Sequence, residues 1–224
     1  MIEYEIFKNK ITNKFDEYKI NQNETIINNF YIFTKYLLDE NQKYNLTSIT
    51  EIDEIITKHY IDSIMILKYL EIPENAKIID IGTGAGFPAL PLHIMRNDLK
   101  ITLLESKTKK ISFAKNAAEK INGSPKNLIF CQKRAEEYKK EKNMQKTHEY
   151  AISRAVANLS KLCELAEPFI KPKGFFIAYK SKNADNEIME ADNIMRKLKL
   201  KINEIIKFEL ENENRTLIVI QKTP

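Results

Sequence analysis

With 224 residues, the chain has room for one α/β core and a small appendage, not for two full domains. Its net charge of +5 is a mild excess that favours nucleic acid only slightly over an ordinary enzyme substrate. Cys131 and Cys163 stand far apart and outside any Cys-x-x-Cys pattern, which argues against a disulfide framework or a zinc site; both read as buried small residues. No apolar run approaches membrane-spanning length, and Met1-Ile-Glu-Tyr-Glu5 has neither a basic flank nor a cleavage site, so a cytoplasmic protein is expected.

Residues 1–72 read as a helical extension and residues 73–224 as a Rossmann-like domain. In the extension, Ile6, Ile11, Phe15 and Tyr18, then Ile26, Ile27, Phe30, Phe33, Tyr36, Leu37 and Leu38, recur at steps of three and four, which predicts amphipathic helices. Asn45-Leu-Thr-Ser-Ile-Thr50 is a polar link with cap candidates, and Ile52 to Leu70 resumes the helical period until Pro73. Strands then alternate with helices. The predicted strands are Ile78 to Ile81, Ile101 to Glu105, Leu128 to Cys131, Tyr150 to Ser153 and Phe175 to Tyr179. The intervening helices are Leu90 to Met95, Ile111 to Ile121, Leu159 to Ile170 and Ile188 to Leu198. Ile202 to Phe208 and Leu217 to Ile220 close the chain as a hairpin around Glu211 to Asn214. This order implies an α/β fold with a seven-stranded, mostly parallel sheet and a terminal antiparallel hairpin.

The most informative stretch is Lys77-Ile-Ile-Asp-Ile-Gly-Thr-Gly-Ala-Gly-Phe-Pro88. A buried β-branched strand passes through Asp80 into Gly82, Gly84 and Gly86, residues without the Cβ atoms that would stop the backbone closing on a ligand. A dinucleotide fingerprint places its third glycine three residues after the second; strict alternation fits S-adenosylmethionine better. About two dozen residues on, Glu105 ends the second strand, where a carboxylate can accept both hydroxyl hydrogens of an adenosine ribose. The whole pattern is that of a Rossmann-like, class I S-adenosylmethionine methyltransferase.

Asp80-Ile-Gly-Thr-Gly-Ala-Gly-Phe-Pro-Ala-Leu-Pro-Leu92, preceded by Asn45-Leu-Thr47 and His59-Tyr-Ile-Asp-Ser63, resembles the RsmG (GidB) family of bacterial small-subunit rRNA guanine-N7 methyltransferases. Leu104-Glu-Ser106 with Lys107, Lys110 and Phe113, then Arg134-Ala-Glu136, Ser153-Arg-Ala-Val-Ala157, Lys173-Gly174 and Lys180, follow the family order from about Tyr31 to about Val219. The chain departs from the family at Ala89, at Lys171-Pro-Lys-Gly174 and in the longer, charged segment from Lys139 to His148. The resemblance implies that Gly82 and Phe87 touch the cofactor, with Phe87 closing over its methionine or sulfonium end, and that Ala135 and Glu136 flank the adenine at the end of strand three. It implies that Arg154 projects from strand four toward cofactor and substrate. The implied substrate is a guanine N7 of 16S rRNA, in the family the guanine at position 527, in naked RNA or the small ribosomal subunit. A monomer is expected, with no membrane partner and no metal.

Absent motifs sharpen the acceptor. Ser153-Arg-Ala-Val156 stands where amine methyltransferases carry an Asn/Asp-Pro-Pro-aromatic loop, and neither cysteine has the setting of a nucleophile for pyrimidine C5. Guanine N7 has a free lone pair at neutral pH and attacks the sulfonium methyl without a general base, so positioning suffices. Arg154 is the expected catalytic residue, donating to guanine O6 while leaving N7 free.

Lys107, Lys109, Lys110, Lys133, Arg134, Lys171, Lys173, Lys180 and Lys182 are expected near one rim, where they would neutralise RNA phosphates; each also reads as an ordinary solvated residue of a Lys-rich chain. Among these, Lys107, Arg134 and Lys180 are the expected substrate contacts, with Asn45 and His59. Asn45 reads equally as a turn residue. His59, Asp62 and Ser63 hold the residue types of a hydrolase triad, but on one helix they lack convergent geometry, and His93 and His148 stand at no metal-ligand spacing. Two other classes fit parts of the pattern: an NAD-dependent oxidoreductase, and a noncatalytic ribosome-binding protein. Thermal protection by S-adenosylmethionine but not by NAD separates the first, and methyl transfer to ribosomal subunits the second.

Overall fold

Strand β1 (Lys77–Ile81) is buried at every position after its first, as a β-branched run between two helical layers must be. The computed structural model describes residues 2–123, 125–154, 156–181 and 183–224. Among these, seven strands form one sheet in the order β3-β2-β1-β4-β5-β7-β6. The others are β2 (Lys100–Leu104), β3 (Leu128–Cys131), β4 (His148–Arg154), β5 (Ile170–Lys180), β6 (Leu200–Leu210) and β7 (Glu213–Lys222). β1 to β5 pair in parallel, and β7 runs antiparallel between β5 and β6.

Side-chain alternation splits the core into two layers. Ile78, Ile101, Leu103, Ile152, Ile177 and Val219 face one side, in a cluster continuous with Phe7, Phe30, Phe33 and Tyr60 of the N-terminal helices. Ile79, Ile81, Leu104, Phe176, Ala178 and Ile218 face the other. The first side is covered by α1 (Tyr4–Glu17), α2 (Glu24–Tyr44), α6 (Ala89–Met95) and α7 (Thr108–Asn122). The second is covered by α8 (Ala135–Tyr138), α9 (Leu159–Ala166) and α10 (Ala184–Lys197). Asn23 caps α2 by accepting the Ile26 N–H, and Asn158 caps α9 by accepting the Lys161 N–H.

Residues 52–69 form a broken helix: α3 (Ile52–Glu54), a π-helical stretch (Ile55–Ile61), α4 (Asp62–Ile64) and α5 (Ile66–Tyr69). A π stretch widens the helix and is found disproportionately at functional sites. Here it carries Lys58 and His59 toward the end of β4.

Several expected boundaries move for local reasons. Ile6 is exposed and Phe7 takes its place in the buried stripe of α1. The helix expected to reach Ile170 ends at Ala166; Pro168 sits in a short 3₁₀ turn, and Ile170 already pairs with β4. The hairpin loop is two residues, Glu211 and Asn212, both at positive φ, while Glu213 and Asn214 belong to β7. Helix α8 is too short to leave a periodic signal. Cys163 is buried as expected, whereas Cys131 is only half-buried.

Candidate active site

The turn after β1 is held from three directions. Leu104 O accepts the Gly82 and Thr83 N–H groups at 2.8 and 3.1 Å, Thr83 O accepts those of Gly86 and Phe87, and Glu105 Oε2 accepts the Gly84 N–H at 3.0 Å. All three glycines have positive φ, which favours glycine at each. Their surroundings differ. A Cβ on Gly82 would lie 2.5 Å from Val156 Cγ2, and one on Gly86 2.5 Å from Leu90 Cδ1, so both let the protein's own side chains close in. A Cβ on Gly84 would meet only Lys110 Nζ, at 4.0 Å; this backbone faces open space beside the ends of β1 and β2.

Asp80 lies beneath the turn, fully buried, with Oδ2 accepting the Ala89 N–H at 3.3 Å. Its Oδ1 and the Thr83 hydroxyl are also buried; neither meets a partner in full hydrogen-bond geometry among the described residues, but the Thr83 side chain stands close enough to the Asp80 carboxyl to favour its charged form. Burial pushes the Asp80 carboxyl up to about 7. An acid whose folded pKa exceeds its unfolded value holds its proton more tightly when folded, so stability falls as pH rises from about 4 to about 7. Asp80→Asn is expected to remove that contribution: variant and wild type melt alike near pH ~4, and the variant melts higher near pH ~8. Parallel melting curves across that range would exclude titration of Asp80.

Glu105 follows β2, nearly buried, its Oε1 accepting the Lys107 N–H at 2.8 Å. The Ser106 hydroxyl also donates to Oε1, at 3.4 Å, so Oε2 is the oxygen that retains a lone pair for a ribose hydroxyl. Ala135 and Glu136 open α8, four residues beyond the end of β3 rather than at it. Glu136 is exposed and ion-paired with Lys161 at 3.6 Å; a hydrogen bond to its own backbone N–H holds its carboxyl below the usual range. The open Gly84 backbone and the Glu105 carboxylate beside it suit the residues here to the adenosyl part of S-adenosylmethionine.

Beyond Val156 the ends of β4 and β5, the start of β7 and the broken helix line an open cavity of about 650 Å³. Arg154, the last residue of β4, lies on its wall. Its NH1 donates to Lys58 O at 2.9 Å and to Asp62 Oδ2 at 3.0 Å, and its NH2 donates to His59 Nδ1 at 3.3 Å. Burial, then the nearby Arg154 charge, lowers the His59 pKa to about 3, so the imidazole is neutral. With Nδ1 accepting from Arg154, the proton sits on Nε2 and is donated to Thr47 Oγ1 at 2.9 Å. His59 also stacks on Phe87, ring centroids 4.3 Å apart and planes 14° apart, while the Arg154 guanidinium lies 5.4 Å from the Phe87 centroid. Phe87 is itself buried in an aromatic wall with Phe33 and Tyr60.

The basic residues do not share one rim. Lys171 and Lys173 lie at the start of β5, the edge of the sheet opposite the glycine turn, because β5 runs parallel to β1; Lys171 is ion-paired with Glu149. Lys180, at the correct end, is not a free cation: its side chain is almost buried and donates to Ala157 O and to Glu187, both at 2.7 Å. Glu187 in turn accepts the Leu159 N–H, so this lysine fastens the β4–α9 loop to α10. Lys180→Ala is expected to cost about 1–3 kcal/mol in urea denaturation through loss of a largely buried pair. A direct phosphate contact would instead lower the salt slope of RNA binding by about one. Lys107 and Arg134 are exposed, Lys110 Nζ is the basic group nearest Gly84, Lys109 lies over the Tyr44 ring, and Lys133 is paired with Glu141. Asn45 is exposed in a left-handed conformation at the C-terminal cap of α2. Lys182 and Ala155 lie outside the described residues.

The family profile described as rRNA small subunit methyltransferase G (GidB) matches residues 26–218. The chain belongs to the RsmG (GidB) family. Among its RsmG relatives, the ribosomal RNA small subunit methyltransferase G of Clostridium beijerinckii is 42% identical over 195 residues, covering 86% of this chain and 81% of the relative. That of Clostridium botulinum strain Loch Maree is 38% identical over 218 residues, covering 96% and 90%. Solved structures share the fold at low identity. A SAM-dependent methyltransferase from Aquifex aeolicus aligns with TM-score 0.57 at 15% identity, over 75% of this chain and 92% of that one. A SAM-dependent O-methyltransferase from Thermotoga maritima aligns with TM-score 0.56 at 14% identity, over 84% and 71%. As an RsmG member the chain is an S-adenosylmethionine-dependent rRNA methyltransferase.

Two features of this RsmG site are not evident in the sequence. Asp62 stands in the sequence within His59-Tyr-Ile-Asp-Ser63 and a triad pattern, with no sign that it lies on the cavity wall bonded to Arg154. Arg215, from the terminal hairpin, stands with its Nε 3.5 Å from Asp62 Oδ1. Only the antiparallel insertion of β7 brings residue 215 beside residue 62, and no local spacing announces it.

Proposed function

We propose that this protein methylates N7 of guanine 527 of 16S rRNA, with the base in the cavity beyond Val156 and the cofactor over the Gly84 opening. The observation that carries the reading is Arg154, which stands between the glycine turn and the cavity and is already oriented by three partners. S-adenosylmethionine, when bound, supplies the methyl group on a sulfonium. Glu105 accepts the ribose hydroxyls, the Gly84 backbone lets the cofactor approach, and Ala135 and Glu136 border the adenine.

Arg154 donates to guanine O6, which adenine lacks, and holds the base with N7 free. Because N7 is unprotonated at neutral pH, no side chain removes a proton, and the rate depends on alignment at near-attack distance. His59 is suited to buttressing: neutral, stacked on Phe87 and bonded at both nitrogens, it fixes Arg154 rather than shuttling protons.

Lys110, whose Nζ faces Gly84, together with Lys107, Lys109 and Arg134, supplies the positive charge for the phosphates of an unpaired RNA loop. The protein acts as a cytoplasmic monomer on RNA or on the small subunit. Purified small subunits incubated with methyl-labelled S-adenosylmethionine test the reading: label at N7 of guanine 527 is expected. Label on another atom or nucleotide would overturn it.

A further inference from the structure

We propose that Asp62 reads the Watson–Crick edge of the target guanine, its two carboxylate oxygens taking the N1–H and the N2 amine. The inference rests on the guanine-N7 reading above and assigns the residue that sets base identity within the same cavity.

Asp62 lies on the cavity wall with its side chain only 10% exposed. It is the acceptor between two guanidinium groups. Oδ2 accepts from Arg154 NH1 at 3.0 Å, whereas Oδ1 has only the longer 3.5 Å approach of Arg215 Nε. Arg215 is held from behind, its NH2 donating to Glu213 at 2.8 Å and its NH1 to Asn214 O at 3.2 Å. The two guanidinium groups hold the carboxylate in place from either side, which a reader of neutral N–H donors requires.

The order of groups matches one base. Along its Watson–Crick edge guanine presents the O6 acceptor, the N1–H donor and the N2 amine donor. Along the wall stand the Arg154 donor, Oδ2 and Oδ1, so that O6 meets Arg154, N1–H meets Oδ2 and the amine meets Oδ1. Adenine presents its N1 lone pair where guanine presents N1–H, and that lone pair would face a carboxylate oxygen. Engaging this edge leaves N7 uncommitted. Ile49, Val156 and Leu217 supply apolar surface in the same cavity for the faces of the base.

The test uses small subunits reconstituted with 16S rRNA carrying guanosine or inosine at the target position, because inosine keeps O6, N1–H and N7 and lacks only the N2 amine. With the wild-type protein, kcat/KM is expected to fall roughly tenfold or more on inosine. Asp62→Asn is expected to lose activity on guanosine and also to lose the preference, with a guanosine-to-inosine ratio at or below about one, since an amide N–H set against the N2 amine disfavours guanine. A merely structural Asp62 would lower both rates and leave their ratio unchanged. Equal wild-type rates on the two nucleosides, with the methyl mapped to N7, would overturn the assignment while leaving the guanine-N7 reading intact. A methyl mapped elsewhere on wild-type subunits would overturn that reading instead, and the assignment with it.

Discussion

Glu105→Gln is expected to weaken S-adenosylmethionine binding by roughly tenfold or more, read by isothermal titration, with only a small change in the melting temperature of the ligand-free protein. The carboxylate ties the turn together, Oε2 accepting the Gly84 N–H and Oε1 the Lys107 N–H. Glutamine has the same length and its carbonyl retains one of those bonds, so the turn keeps most of its shape. It loses the charge-assisted acceptance of a ribose hydroxyl, and hydrogen bonds to a charged group are worth about 1.5–3 kcal/mol. Glu105→Ala goes further, because it also strips the Gly84 N–H of its acceptor. If the glutamine variant bound cofactor as tightly as wild type, Glu105 would be a tether of the glycine turn and nothing more.

The place of Glu105 shows what can be read from a linear sequence. The strand-to-glycine passage at Lys77 to Gly86 and the acidic end of β2 are local patterns, and they appear where expected, at the carboxyl ends of neighbouring parallel strands. Sheet topology follows from the alternation of strands and helices and from a closing hairpin. What spacing does not express is which charges meet. Lys180 looks like a free cation, yet Glu187 lies one helical turn into α10 and captures it. Lys171 and Lys180 are nine positions apart in one strand and therefore sit at opposite edges of the sheet. The glycines were legible as glycines but not in their separate duties, because only the folded chain puts Val156 against Gly82 and Leu90 against Gly86 and leaves Gly84 open. The π-helical stretch, too, has no periodic signature in so short a segment, although it carries His59 and Lys58 to Arg154.

Arg154→Ala is expected to cut methyl transfer by about a hundredfold or more, because it removes both the positioned donor and the link between the two halves of the site. Three of the five guanidinium N–H groups are committed to Lys58 O, Asp62 and His59, which leaves donors for ligands without reorganisation of the side chain. The alanine variant also strands partners: His59 Nδ1 loses its donor, and Asp62 keeps only the 3.5 Å approach of Arg215. A loss of about 2–4 kcal/mol in stability should accompany the loss of activity. Burial, the larger cause of the low His59 pKa, persists in the variant, so the imidazole stays neutral and does not replace the missing charge. Arg154→Lys separates the two effects. A lysine restores a cation beside Asp62 and much of the stability, but one ammonium cannot reproduce the planar fork that meets Lys58 O, Asp62 and His59 together. Its melting temperature should therefore approach wild type, while methyl transfer, assayed below both melting transitions, stays at least about tenfold down. Wild-type transfer by the lysine variant would mean that Arg154 contributes charge alone and that alignment of the guanine is set elsewhere in the cavity.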